Sequence, residues 1–260
     1  MSFRTYGRRN GRPEKVTPNE FPRIYLFGDS LTERGFYAQD TGFGWQLQRY
    51  YEDRVEVINE GANDACLSMG GTLVPLQEYE DHIRHYVNTI LDDPATQSTR
   101  VILISPPPVN VPVPVGEPLL DNPDAANILR IVALQGRGHR TWQSKRTFAN
   151  KIVEIGKEFE ANTDRVAFLD FWSSLTKSVC RIEGVSQDDA FYYLDIDNML
   201  PGSGMPGAKS FEKGYFTDGL HFGERAYEIL GRELLDLALA KWPELKRENF
   251  PSRVCAHPLS

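Results

Sequence analysis

The chain of 260 residues holds only three cysteines, Cys66, Cys180 and Cys255. They are odd in number, far apart and without a C-x-x-C pair, which argues against a disulfide framework and against a zinc site. No apolar run approaches the ~18 residues needed to cross a bilayer, and the N-terminal stretch lacks the apolar core of a secretory signal. No Asn-x-Ser/Thr sequon occurs either. A soluble protein of a reducing compartment, the cytoplasm, is therefore expected, with no membrane span. A long basic stripe is also missing: 36 acidic residues stand against 29 basic ones, for a net charge of −7. Nucleic acid is accordingly not an expected partner.

The one concentration of positive charge is Arg4, Arg8, Arg9, Arg12 and Lys15, set among Asn10, Gly11 and Pro13. A targeting or anion-binding arm is one reading, but this composition favours a solvated, disordered tail. The expected organisation is a disordered arm over 1–20, one domain over 21–245 and a C-terminal tail over 246–260. A hydrophobic fraction of 40% with 25% charged residues is ordinary for a globular domain with a sizeable core.

Short apolar runs at Arg23–Phe27, Val55–Ile58, Val101–Ile104 and Val166–Asp170 read as strands. Helical spacing appears in Gly44–Tyr51, in Pro75–Leu91, in Arg140–Glu160 and in Glu224–Trp242. Pro106–Pro108 cannot continue a central ladder, and Asp188–Tyr215 is polar and Gly-rich, hence loop. Strands alternating with helices call for a parallel sheet covered on both faces, a three-layer α/β domain. In such sheets chemistry gathers at the carboxyl ends of the strands.

Three polar clusters fall at or near those ends. Gly28-Asp29-Ser30 places a hydroxyl just past a strand, after a glycine that lets the backbone turn sharply. Gly61-Ala62-Asn63-Asp64 offers a carboxamide donor, and Asp218-Gly219-Leu220-His221 puts a carboxylate and an imidazole on one loop ahead of the last helix. Ester hydrolysis needs a base for the serine proton, a group to fix the imidazole, and donors for the oxyanion. His221, Asp218, and Asn63 with the Ser30 backbone amide can fill these roles in that order.

These blocks resemble those of the GDSL, or SGNH, hydrolases, and within them the isoamyl acetate-hydrolysing esterase group. Leu26-Phe27-Gly28-Asp29-Ser30-Leu31-Thr32 looks like the nucleophile block, Gly61-Ala62-Asn63-Asp64-Ala65-Cys66-Leu67 like the asparagine block, and Asp218-Gly219-Leu220-His221 like the final block. The likeness spans roughly residues 21 to 242. It implies a flavodoxin-like α/β/α fold, no cofactor, no metal, and short-chain esters such as acetates as substrates, with Ser30, Asp218 and His221 as the catalytic set.

One departure stands out. The family has a second block, in which a glycine at the end of the second strand supplies an oxyanion amide, followed by a helix and a further strand before the asparagine block. Here Val55–Glu60 runs straight into Gly61-Ala62-Asn63-Asp64. The sheet is thus expected to be one strand short. Either the 55–58 strand takes the place of the lost central strand, or a gap is left beside the first strand; the former is preferred, because a gap exposes unpaired backbone groups. The oxyanion hole would then comprise Ser30 and Asn63 alone. An impaired or inert remnant of the fold, and a carbohydrate or lipid acyl esterase, are the alternatives.

Other candidates have plainer explanations. Ser30 alone would pass for a helix cap, and Asp29 suits holding the turn through backbone bonds. His82 and His85 lie on an amphipathic helix, and His139 and His257 sit in loop and tail. Gly202-Ser203-Gly204-Met205-Pro206-Gly207 matches a dinucleotide glycine pattern, yet no strand precedes it. Cys66 has no basic neighbour to activate it. Among Trp142, Phe171, Trp172, Phe191, Tyr192, Tyr193, Tyr215 and Phe216, most read as core, with Tyr215 and Phe216 the best candidates for a substrate pocket.

Overall fold

The computed structural model describes residues 2–4, 22–36, 42–61, 74–110, 142–181, 201–202 and 210–252. Among the described residues five strands form one sheet: β1 (Ser2–Arg4), β2 (Arg23–Gly28), β3 (Glu56–Gly61), β4 (Thr99–Ile104) and β5 (Val166–Leu169). The helices are α1 (Ser30–Glu33), α2 (Phe43–Tyr51), α3 (Leu76–Asp92), α4 (Trp142–Asn162), α5 (Phe171–Arg181) and α6 (Glu224–Lys241). The elements expected from periodicity are present, with shifts of a few residues at their ends. Helix α5 was not foreseen. Its inward positions Phe171, Trp172, Leu175, Thr176 and Val179 are all buried at helical spacing, but Ser173, Ser174 and Ser178 between them dilute the pattern. Asp170 starts the helix by accepting hydrogen bonds from the Ser173 N–H and hydroxyl.

The strand order is β3-β2-β1-β4-β5. Strands β2 and β3 are parallel, as are β4 and β5, while β1 lies antiparallel to both β2 and β4. One expectation is corrected here. The strand after Val55 does not take the central place; among the described strands it lies at the sheet edge, and its six register pairs with β2 run from Arg23↔Glu56 to Gly28↔Gly61. Ser2–Arg4 occupies the place between β2 and β4. The physical reason is the one that disfavoured a gap: two parallel pairs facing each other across an empty slot would leave backbone donors and acceptors unmet. Strand β1 meets them in part, in the registers Ser2↔Tyr25, Phe3↔Ile24, Ser2↔Val101, Phe3↔Arg100 and Arg4↔Thr99.

Alternation along the strands decides what each face covers. Ile24, Leu26, Ile102, Ala167 and Leu169 point into the main core with Leu47 and Tyr51 of α2 and Tyr227, Leu230 and Leu234 of α6. On the other face Val101 and Val166 pack with Val87 of α3, flanked by Leu103 and Phe159. Gly156 of α4 lets that helix lie against Phe168, since a Cβ there would stand 2.4 Å from the Phe168 Cβ. The core continues past 245: Phe250 is buried with its ring edge-on to Tyr51 at 5.8 Å.

Candidate active site

The site is assembled at the carboxyl end of β2. Glycine at 28 leaves room there for Thr32 of α1, whose Oγ1 would stand 2.2 Å from a Cβ at that position. Asp29, in extended conformation, caps α1 by accepting the Leu31 N–H at its Oδ1 (2.9 Å), the structural part expected of it. Ser30 is the first residue of that helical turn. No described residue accepts from its backbone N–H, one of the donors a helix start leaves unpaired.

The second half arrives on the loop before α6. Gly219 turns the chain with φ of 83°, and the Thr217 N–H closes the loop onto the His221 carbonyl at 2.9 Å. The Asn110 N–H reaches across to the Gly219 carbonyl at 2.8 Å, while the Asn110 carboxamide oxygen accepts the Phe211 N–H at 3.1 Å. Asn110 thus pins the loop to the segment that follows β4. Sequence reasoning missed it, and the Pro106–Pro108 turn just before it was the available signal.

Ser30 Oγ lies 3.2 Å from His221 Nε2, and His221 Nδ1 lies 2.6 Å from Asp218 Oδ2. The other Asp218 oxygen accepts the N–H groups of Leu220 (3.0 Å) and His221 (2.8 Å). Partial burial works to raise the Asp218 pKa, but the backbone N–H and ring of His221 and the Leu220 N–H outweigh it and hold the carboxyl down to about 2. An ionised carboxylate only accepts, so Nδ1 carries the imidazole proton. Nε2 of the neutral ring is then an acceptor aimed at the serine hydroxyl.

Of the residues singled out in the sequence, the structure brings Ser30, Asp218 and His221 together. Asn63 lies outside the described residues; Gly61, two positions earlier, is in register with Gly28. His82 and His85 are exposed on α3. His139, His257, Cys66, Cys255, Phe191, Tyr192, Tyr193 and the Ser203–Gly207 part of the glycine string fall outside the described residues, as do the side chains of Cys180 and Trp142. Tyr215 is packed in the core, 2% exposed. Phe171 and Trp172 are core as well. Phe216 packs edge-on to Phe211 and Phe222 at 5.0 and 5.8 Å.

Among the described residues, no group of His, Cys, Asp and Glu could hold a metal ion, and no helix is long and apolar enough to cross a membrane. A surface hollow of about 310 Å³ bordered by Glu212, Tyr215, Arg225 and Arg232 contains none of the three site residues. Its rim carries the Arg225–Glu212 ion pair (2.7 Å), and so it does not suit an acyl chain.

An α/β sheet with a hydroxyl, an imidazole and a carboxylate in line at a strand end defines a protein equipped for acyl transfer. The profile of the GDSL-like lipase/acylhydrolase family matches residues 46–234, and the chain belongs to that family of ester hydrolases. The match takes in Asn63, Asp218 and His221 but begins after Ser30, so the serine rests on geometry. Two Arabidopsis thaliana proteins are similar. GDSL esterase/lipase At5g45920 is 23% identical over 192 residues, 59% of this chain and 71% of its own length. GDSL esterase/lipase At2g38180 is 23% identical over 271 residues, 88% of this chain and 69% of its own length.

Proposed function

We propose that the protein cleaves short-chain, acetate-type carboxylic esters through an acyl-enzyme on Ser30. The observation that carries this reading is the continuous line from Ser30 Oγ to His221 Nε2 (3.2 Å) and from His221 Nδ1 to Asp218 Oδ2 (2.6 Å). His221 takes the hydroxyl proton as Ser30 attacks the ester carbonyl. The resulting imidazolium is stabilised by Asp218 and returns the proton to the departing alcohol. Water, activated by the same imidazole, then attacks the acyl-enzyme and releases the acid. The oxyanion of each tetrahedral intermediate is met by the Ser30 N–H, which has no acceptor among the described residues, and by the Asn63 carboxamide. Asn63 follows Gly61 by the same two residues by which Ser30 follows its register partner Gly28.

Acetate-type substrates are favoured by the likeness to the isoamyl acetate-hydrolysing group. Three scattered cysteines support work in the cytoplasm. The missing glycine block carries a second reading: loss of one oxyanion donor typically costs about 10²–10³ in kcat, so a slow enzyme or a binding remnant is the competing outcome. Hydrolysis of p-nitrophenyl acetate, butyrate and octanoate, with Ser30→Ala alongside, tests both. The expected result is the highest kcat/KM for acetate and loss of turnover in Ser30→Ala. Preference for octanoate would refute the acetate assignment, and a folded wild type no faster than Ser30→Ala would favour the remnant.

A further inference from the structure

Helix α1 has four residues, far below the roughly 12–15 that make an isolated helix even marginally stable in water. Its place is set by outside contacts, and one of them comes from the histidine side of the site. Tyr227, in the first turn of α6, is 1% exposed, and its hydroxyl donates to the Leu31 carbonyl at 2.9 Å. Burial raises the phenol's pKa further, which keeps it a donor throughout the working range. The same ring stands edge-on to Phe222, the neighbour of His221, with centroids 5.2 Å apart, and stacks on Phe43 of α2 at 6.1 Å. Its carbonyl accepts from the Gln46 side chain at 2.9 Å.

We propose that Tyr227 is a positioning residue that braces the nucleophile turn against the histidine loop and so sets the Ser30–His221 distance. The proposal rests on the Ser30–His221–Asp218 reading above. One side chain holds the carbonyl of the residue after the serine and the ring of the residue after the histidine. Movement of the turn relative to the loop must therefore break the hydroxyl bond or shift a fully packed ring.

The test is Tyr227→Phe, which removes the hydroxyl and leaves the ring. Its control is Tyr51→Phe, since Tyr51 is also 1% exposed and donates to a backbone carbonyl, that of Leu245, at 2.8 Å. Steady-state hydrolysis of p-nitrophenyl acetate and thermal melts are measured for both variants, the wild type and Ser30→Ala. Misplacement of a reacting group by about 1 Å can cost about 100-fold, so kcat for Tyr227→Phe is expected to fall about 10- to 100-fold with KM unchanged. Tyr51→Phe is expected to lower the melting temperature comparably while keeping wild-type kcat.

Wild-type kcat in Tyr227→Phe, or equal kcat losses in the two variants, would overturn the inference while leaving the serine mechanism intact. Full turnover in Ser30→Ala would overturn the mechanism and the inference with it. Should Tyr227→Phe not fold, Phe222→Leu carries the same kcat-against-KM test, because it loosens the ring edge and retains the hydroxyl.

Discussion

The two halves of the sheet are finished to different degrees. In the β4–β5 half both faces are packed: Ile102 and Ala167 are buried against one helical layer, Val101 and Val166 against the other. In the β2–β3 half the face toward α2 and α6 is equally tight, with Ile24 and Leu26 buried. On the opposite face Phe27 is 59% exposed and meets the ring of Tyr86 edge-on at 6.4 Å. The open face is turned away from the Ser30–His221 pair, because α1 and α6 belong to the packed side. The serine, histidine and aspartate form a continuous line because the layer carrying the histidine loop is tightly packed.

The largest loss is expected at the site itself. Asp218→Asn keeps the shape but loses the fixed charge and tautomer, and kcat is expected to fall by about 10⁴ in steady-state ester hydrolysis. The wild-type carboxyl, depressed from the ordinary 3.8 to about 2, contributes stability that is fully present above 3.8 and is lost as pH falls towards 2. Acid melts of the variant should therefore lack that portion of the wild-type loss.

Truncating the fully packed half comes next. Ile102→Ala, at a position 2% exposed, is expected to cost about 2–5 kcal/mol in urea denaturation. At the seam, Phe3→Pro removes a donor from a strand with neighbours on both sides, where proline does not fit. A loss of about 1–3 kcal/mol is expected, together with faster amide exchange at Tyr25 and Val101, the partners of Ser2. The smallest effect belongs to the open face: Phe27→Ser is expected to change stability by less than about 0.5 kcal/mol. A large loss there would mean that Phe27 is covered and would erase the contrast.

Much of this was legible in the residues. Strands β2, β4 and β5 are short apolar runs, α3 and α6 carry clean helical stripes, and Asp218 and His221 share a loop whose spacing alone lets the carboxylate reach the ring. Strand β1 was hidden because Ser2-Phe3-Arg4 is too short for a period and sits beside a basic, Gly- and Pro-containing stretch; its pairing is decided by the vacancy between β2 and β4, a tertiary fact. Helix α5 was obscured by its serines. Tyr227 read as one more inward residue of α6, since a stripe records that a side chain is buried but not that its hydroxyl meets Leu31. Tyr215 beside Asp218 suggested a substrate pocket; its ring packs on Phe211 at 5.5 Å, its hydroxyl meets Ser178, and the hollow it borders holds none of the three site residues.

The central claim is that Ser30 is a nucleophile activated by His221, and covalent labelling reads it most directly. The protein is treated with a fluorophosphonate and digested, and the adduct is located by mass spectrometry. The account predicts one adduct, on Ser30, lost in His221→Ala. A folded protein that takes no label, or takes it on another serine such as Ser173 or Ser178, would contradict it.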